Sequence, residues 1–225
     1  MRVPIIYPDE YGYIDIARYL ARGGARPQAE YYPGFSLLLA PLWLATSAPL
    51  TVWRGALVIN AAIAGLSGLV IWALCKRLVP DLSWRPRLAI TVLICLYPAF
   101  LLDSNLALAE CLFSLVFGVV VLIAAQALPG GRPRWWAALG LACGALSAVH
   151  PRGLAVVVAA VILAIVVLRP VRRRANQLAA LALAGGLTLS LAVTRWLVTA
   201  TRGTNIGGIA AYRPDNVIGK SLSAH

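Results

Sequence analysis

The 225 residues are 60% apolar and only 12% charged, with a mean hydropathy of +0.80. Soluble domains carry roughly a quarter charged residues; the composition excludes one and predicts a polytopic α-helical membrane protein, because helices satisfy their own backbone groups in lipid. The 20 Lys and Arg outweigh the 8 Asp and Glu to give +12, but cations concentrated in short turns are what membrane orientation requires, so no nucleic-acid partner is expected.

The chain opens on Tyr7-Pro8-Asp9-Glu10-Tyr11, an acidic doublet expected in a loop, with no signal peptide before it. Residues 11–22 follow as an amphipathic helix. Tyr13, Ile16, Ala17 and Leu20 share one face, Asp15, Arg18 and Arg22 take the other, and Gly23-Gly24 ends it. Such a helix lies in the membrane interface or forms an ordinary surface helix. Tyr31-Tyr32-Pro33-Gly34 opens an apolar run to Ala48 that Pro41 interrupts, which suits a bent or re-entrant helix with Tyr31, Tyr32 and Trp43 at the interface.

Six spans are expected after that, over Trp53–Leu74, Leu88–Leu102, Leu106–Leu128, Trp135–Val149, Leu154–Leu168 and Leu178–Val198. The resulting all-α architecture is a transmembrane helical bundle with an external amphipathic interfacial helix. It divides into an external acidic region at 1–34, a transmembrane domain at 35–198 of about six spans plus the re-entrant helix, and an external polar tail at 199–225. Alternation places the turns at 76–87, 129–134 and 169–174 on one side. They hold Lys76, Arg77, Arg85, Arg87, Arg132, Arg134, Arg169, Arg172, Arg173 and Arg174, which makes that side cytoplasmic and the chain a multi-pass protein of the plasma membrane. The acidic loop, the Asp103 turn, the His150 turn and the tail then share the outside. Cys75, Cys95, Cys111 and Cys143 lie in apolar runs without a CxxC pair and read as small buried hydrophobes.

Chemistry is sought among the polar residues gathered outside. Asp9 and Glu10, at the bilayer rim, are placed to accept a proton from a hydroxyl or to hold a divalent cation beside a phosphate; a solvated turn is the plain alternative. Asp103 and Glu110, seven residues apart, are expected on one helix face about 10 Å apart along the axis. Glu110 enters an apolar run, where an ionisable group faces a cavity or a partner, and Asp103, Ser104 or Asn105 would cap the span that follows. In His150-Pro151-Arg152-Gly153, Arg152 suits a phosphate and His150 a metal or phosphate, against a plain turn. Arg54 and Arg195 sit near external helix ends, to snorkel or to meet a lipid phosphate. No HExxH, P-loop, GxSxG or dinucleotide fingerprint occurs.

These residues resemble the GT-C superfamily of integral-membrane glycosyltransferases, and most nearly its protein-mannosyltransferase and aminoarabinose-transferase type. The resemblance rests on the Asp9-Glu10 loop, the helix from Tyr11 to Leu20 with Ala17, Tyr32-Pro33-Gly34, Tyr97-Pro98 with Asp103 and Glu110, and His150-Pro151-Arg152-Gly153. It covers about residues 5–170 and corresponds to an N-terminal portion, since the family has a helix before the acidic loop and further helices after these. It implies transfer of a sugar from a polyprenyl-phosphate donor to an extracytoplasmic glycan, lipid or protein acceptor. Asp9, with Glu10 beside it, would be the base, Asp103 the second external acid, and Arg152 a phosphate contact. Asp9, Glu10 and His150 are the candidates should a divalent cation take part. Two other readings fit the same residues: a transporter or flippase-like module using Glu110 and Arg152, and a non-catalytic or truncated membrane subunit.

Overall fold

A computed structural model describes residues 7–27, 31–128, 132–168 and 174–202, and among these the chain is helical with no strand. In chain order the helices are α1 (Pro8–Arg22), α2 (Pro33–Ala45), α3 (Pro49–Leu78), α4 (Trp84–Cys95), α5 (Pro98–Ser104), α6 (Glu110–Ala127), α7 (Pro133–Val149), α8 (Gly153–Val167) and α9 (Arg174–Arg202). Prolines set many of the starts. Pro8, Pro33, Pro49, Pro98 and Pro133 each stand in the first helical turn, where the ring's fixed φ suits the helix and its missing N–H is no loss.

That preference corrects the first expectation. Asp9 and Glu10 are not in a loop; they occupy the first turn of α1, where carboxylates oppose the positive end of the helix dipole. Pro41 does not break α2, which runs through it to Ala45. Asp103 and Glu110 do not share a helix face either. Asp103 belongs to α5 and Glu110 opens α6, with a non-helical stretch between them. Ala109, not Asp103, precedes α6, while Ser104 and Asn105 both donate back to the Leu101 carbonyl and close α5.

Of the six expected spans, α3, α6 and α9 are long and apolar enough to cross a membrane, which marks the chain as a membrane protein. α4 and α5 together pass the same test only as a pair bent by 62°. α7 and α8 have 17 and 15 residues, about the lower limit for a span or just below it. Residues 129–131, 169–173 and 203–225, with Arg169, Arg172, Arg173 and most of the expected tail, lie outside the described residues.

α7 is the central helix and packs against α2, α6, α8 and α9. Its crossing with α9 is built from small residues. A Cβ on Gly140 would stand 2.5 Å from the Leu183 carbonyl oxygen, and one on Gly186 2.5 Å from that of Ala137. Ser190 and Thr194 donate across the crossing to the Gly140 and Gly144 carbonyls at 3.2 and 3.3 Å. Small residues admit this approach and hydroxyls add to it, as between helices in lipid.

The core has two parts. Around α7–α9 and the C-terminal half of α6, Trp136, Leu139, Val157, Ala179 and Leu183 form one cluster. The other gathers α1, α2, the first half of α3 and the start of α6. α1 contributes Tyr13 and Ala17 to it and also buries Ile16, so three of the four residues expected on its apolar face are buried, and Leu20 is half-buried. It is lashed to α2 by Ser36 Oγ on the Tyr13 carbonyl at 2.9 Å and Trp43 Nε1 on that of Ile14 at 3.0 Å. Gly34 sits against the Ala148 backbone at the end of α7.

Candidate functional site

Hydrogen bonds and ring contacts define two ends of the bundle. At one end Arg77 Nη2 donates to the Ala125 carbonyl at 3.0 Å and Asn176 Nδ2 to that of Leu168 at 3.1 Å. The starts of α7 and α9 and the Lys76–Arg87 turn belong to this basic end. At the other, α1 meets the starts of α3 and α6, and the α7–α8 turn lies against α6. Asp9, Glu10, Asp103, Glu110, His150 and Arg152 all stand at this second end.

Asp9 is exposed and accepts a hydrogen bond from the Tyr31 hydroxyl. The Tyr31 ring is 4.8 Å from that of Tyr13, which meets Phe35 edge-on at 5.5 Å. Tyr13 is buried, and burial, with the charges of Glu110 and Asp9, raises its phenol pKa far above the usual value, so the hydroxyl stays protonated. A phenol lying within the field of two carboxylates is a donor, not a base.

Glu10 has a different environment from its neighbour. It is 0% exposed. Its Oε2 accepts from the Tyr7 N–H at 2.9 Å, and its Oε1 accepts from Trp53 Nε1 at 3.2 Å and the Ala107 N–H at 2.7 Å. Three donors on one enclosed carboxylate leave no open lone pair facing solvent. Glu10, expected beside Asp9 as a base or metal ligand, is thus the enclosed member of the doublet, with its carboxylate engaged inside the fold.

Glu110 is half-buried, and its Oε2 is enclosed with no hydrogen-bond partner among the described residues. Three residues on, Phe113 meets the His150 ring edge-on at 5.7 Å. His150 closes α7 and accepts the Arg152 N–H on Nδ1 at 3.2 Å. Burial and the Arg152 charge lower the His150 pKa, and Glu110 opposes them. Arg152 is exposed. The Glu110 charge thus acts on both Tyr13 and His150, linking α1, α6 and the α7–α8 turn. Asp103 lies beside this group on α5 and is half-buried.

Among the described residues no three His, Cys, Asp or Glu side chains come together to hold a metal ion, so the Asp9, Glu10 and His150 set expected for a cation is not assembled. An apolar hollow of about 330 Å³ between α8 and α9, lined by Ala164, Leu168, Leu183 and Leu187, lies away from the polar end. Sequence reasoning missed Tyr13 and Tyr31. Tyr13 lies one turn after Asp9, a spacing that could have found it; Tyr31 gives no such signal.

No protein-family model, curated protein or solved structure matches the chain.

Proposed function

We propose that the chain is a membrane glycosyltransferase, of the GT-C type its sequence resembles, that moves a sugar from a polyprenyl-phosphate donor to a hydroxyl-bearing acceptor outside the plasma membrane. The observation that carries the reading is the collection of Asp9, Tyr13, Glu110, His150 and Arg152, from three separate stretches, at one end of an apolar helical bundle. Asp9 is the base: it is the carboxylate of the doublet that is open to an incoming hydroxyl, and Tyr31 holds it in place. As it takes the acceptor's proton, the acceptor oxygen attacks the anomeric carbon. The lipid phosphate departs with the bonding electrons, its charge met by the Arg152 guanidinium. The fixed phenol of Tyr13 is a further donor for phosphate or sugar oxygen.

The test is donor-dependent glycosylation by membranes bearing the chain, with polyprenyl-phosphate sugars supplied. Product that forms with the wild type and falls at least about 10²-fold with Asp9→Asn, at unchanged expression, supports the reading. Equal product from the variant removes Asp9 from the role, and no donor-dependent product at all favours a non-catalytic subunit. One observation favours a transporter or flippase-like reading instead: the enclosed, unpartnered oxygen of Glu110 at the mouth of an apolar helix. That reading makes Glu110→Gln the disabling change and Asp9→Asn harmless.

A further inference from the structure

Between α5 and α6 the backbone leaves the helix over residues 105–109, although Ala107 and Ala109 are both 0% exposed. Buried peptide groups outside a helix need partners from elsewhere, most of all in a protein that lies in lipid. Two distant side chains supply them. Glu10 of α1, 97 residues away in sequence, accepts the Ala107 N–H at 2.7 Å. Asn60 of α3, itself 0% exposed, directs Nδ2 at the carbonyls on either side, bonding Leu108 at 3.1 Å and also Leu106. The amide has two N–H groups, and both are used. Three consecutive residues are thus gripped by an acceptor from one helix and a double donor from another, while Trp53 and the Tyr7 N–H hold the acceptor in place.

We infer that Glu10 and Asn60 form a peptide clamp that fixes residues 106–108 and so positions Glu110, two residues further on, against Tyr13 and His150. Glu10 is then a positioning residue. It sits beside Asp9 because one turn of α1 must present a carboxylate to the outside and lock the α5–α6 junction beneath it. The inference rests on the glycosyl-transfer reading only for the use made of Glu110; the clamp is tested without any transfer assay.

Cys111 is the built-in reporter. It follows Glu110 and is 1% exposed, whereas Cys143 is 0% exposed in the other core cluster. The full chain in membranes is treated with N-ethylmaleimide, and labelling at each cysteine is followed by peptide mass spectrometry. Asn60→Asp keeps the side chain's shape but turns acceptors toward two carbonyls, so simple packing predicts no change. The clamp predicts a rise in the Cys111 labelling rate of about tenfold, the scale of losing a net hydrogen bond or more, with Cys143 still protected. Glu10→Ala should do the same, and Glu10→Gln, which retains an oxygen for Ala107 and Trp53, should do less. Cys111 protected in Asn60→Asp and Glu10→Ala to within about twofold of wild type, well inside the loss of one hydrogen bond, overturns the clamp. So does exposure of Cys143 in step with Cys111 in both Asn60→Asp and Glu10→Gln, since the loosening is then not local. Labelling that follows the expectation while the wild type forms no donor-dependent product would keep the clamp and discard the glycosyl-transfer reading.

Discussion

Asp9 and Glu10 are adjacent and chemically alike, yet their surroundings give them opposite tasks. Asp9 faces out with one hydroxyl donor, while Glu10 is enclosed by three N–H donors. Their alanine variants should therefore fail differently. Glu10→Ala leaves the Ala107 N–H and the Trp53 indole without their acceptor, a loss of roughly 3–5 kcal/mol from unsatisfied buried donors. Asp9→Ala should alter stability by less than about 0.5 kcal/mol, as exposed changes do. Thermal unfolding of the two purified variants in detergent separates them, and equal midpoints would contradict the division of labour. His150 gives a pH-dependent prediction. Its folded pKa is lowered from the ordinary 6.5 by burial and Arg152, so in the acid range the unfolded chain binds the proton more readily. Stability then rises with pH across that range: His150 costs nothing above its ordinary pKa and costs progressively more as pH falls below it. Protonation at Nδ1 would also remove the acceptor for the Arg152 N–H. Between about pH 7.5 and about pH 5.5 the wild type should lose more thermal stability than His150→Gln.

At the scale of elements, the tightest joint is α7 on α9, and the two α7 glycines in it are held by different obstacles. A Cβ on Gly140 meets backbone, the Leu183 oxygen and the Leu187 nitrogen, whereas a Cβ on Gly144 meets chiefly the Ser190 side chain. Both alanine substitutions should cost about 1–3 kcal/mol from overpacking. Only Gly144→Ala should be relieved by Ser190→Gly, because a side chain can be removed and a helix backbone cannot. A double-mutant comparison of unfolding midpoints measures that difference; equal relief of Gly140→Ala would show that the helices simply move apart. The same joint shows what could be read in advance. The spacing of Gly140 and Gly144 is visible in the sequence, but their seat on Gly186 and Ser190 is a fact of packing. The helices were legible because apolar runs and prolines mark them. The start of α1 was not: the apolar periodicity places the helix from residue 11 and the acidic doublet in a loop before it, whereas Pro8 opens the helix. Nor was the role of Glu10, whose acceptor bond to Ala107 depends on a residue 97 positions on. The Asp103 and Glu110 pairing failed for a related reason: a seven-residue spacing means one face only while the helix persists, and residues 105–109 interrupt it.

For the whole molecule the open choice is which end faces out. The twenty cations divide evenly: ten occupy the three short turns, and ten are spread over the N-terminal stretch, helix ends, the Arg152 turn and the tail. The totals cannot orient the chain, so density and company must. In the short turns several cations lie beside successive helix ends with Asp81 as the one acid, while the five other acids among the described residues, Asp9, Glu10, Asp15, Asp103 and Glu110, fall toward the opposite end. Insertion is decided locally, helix by helix, by the Lys and Arg that must be left uncrossed next to each apolar run. The basic turns should therefore be cytoplasmic and Asp9 outside. Ser47, exposed between α2 and α3, and Ser83, exposed before α4, mark the two ends. With a membrane-impermeant maleimide and peptide mapping, Ser47→Cys should label in intact cells and Ser83→Cys only after permeabilisation. The reverse pattern would put the Asp9 carboxylate in the cytoplasm, and with it would go the extracytoplasmic acceptor.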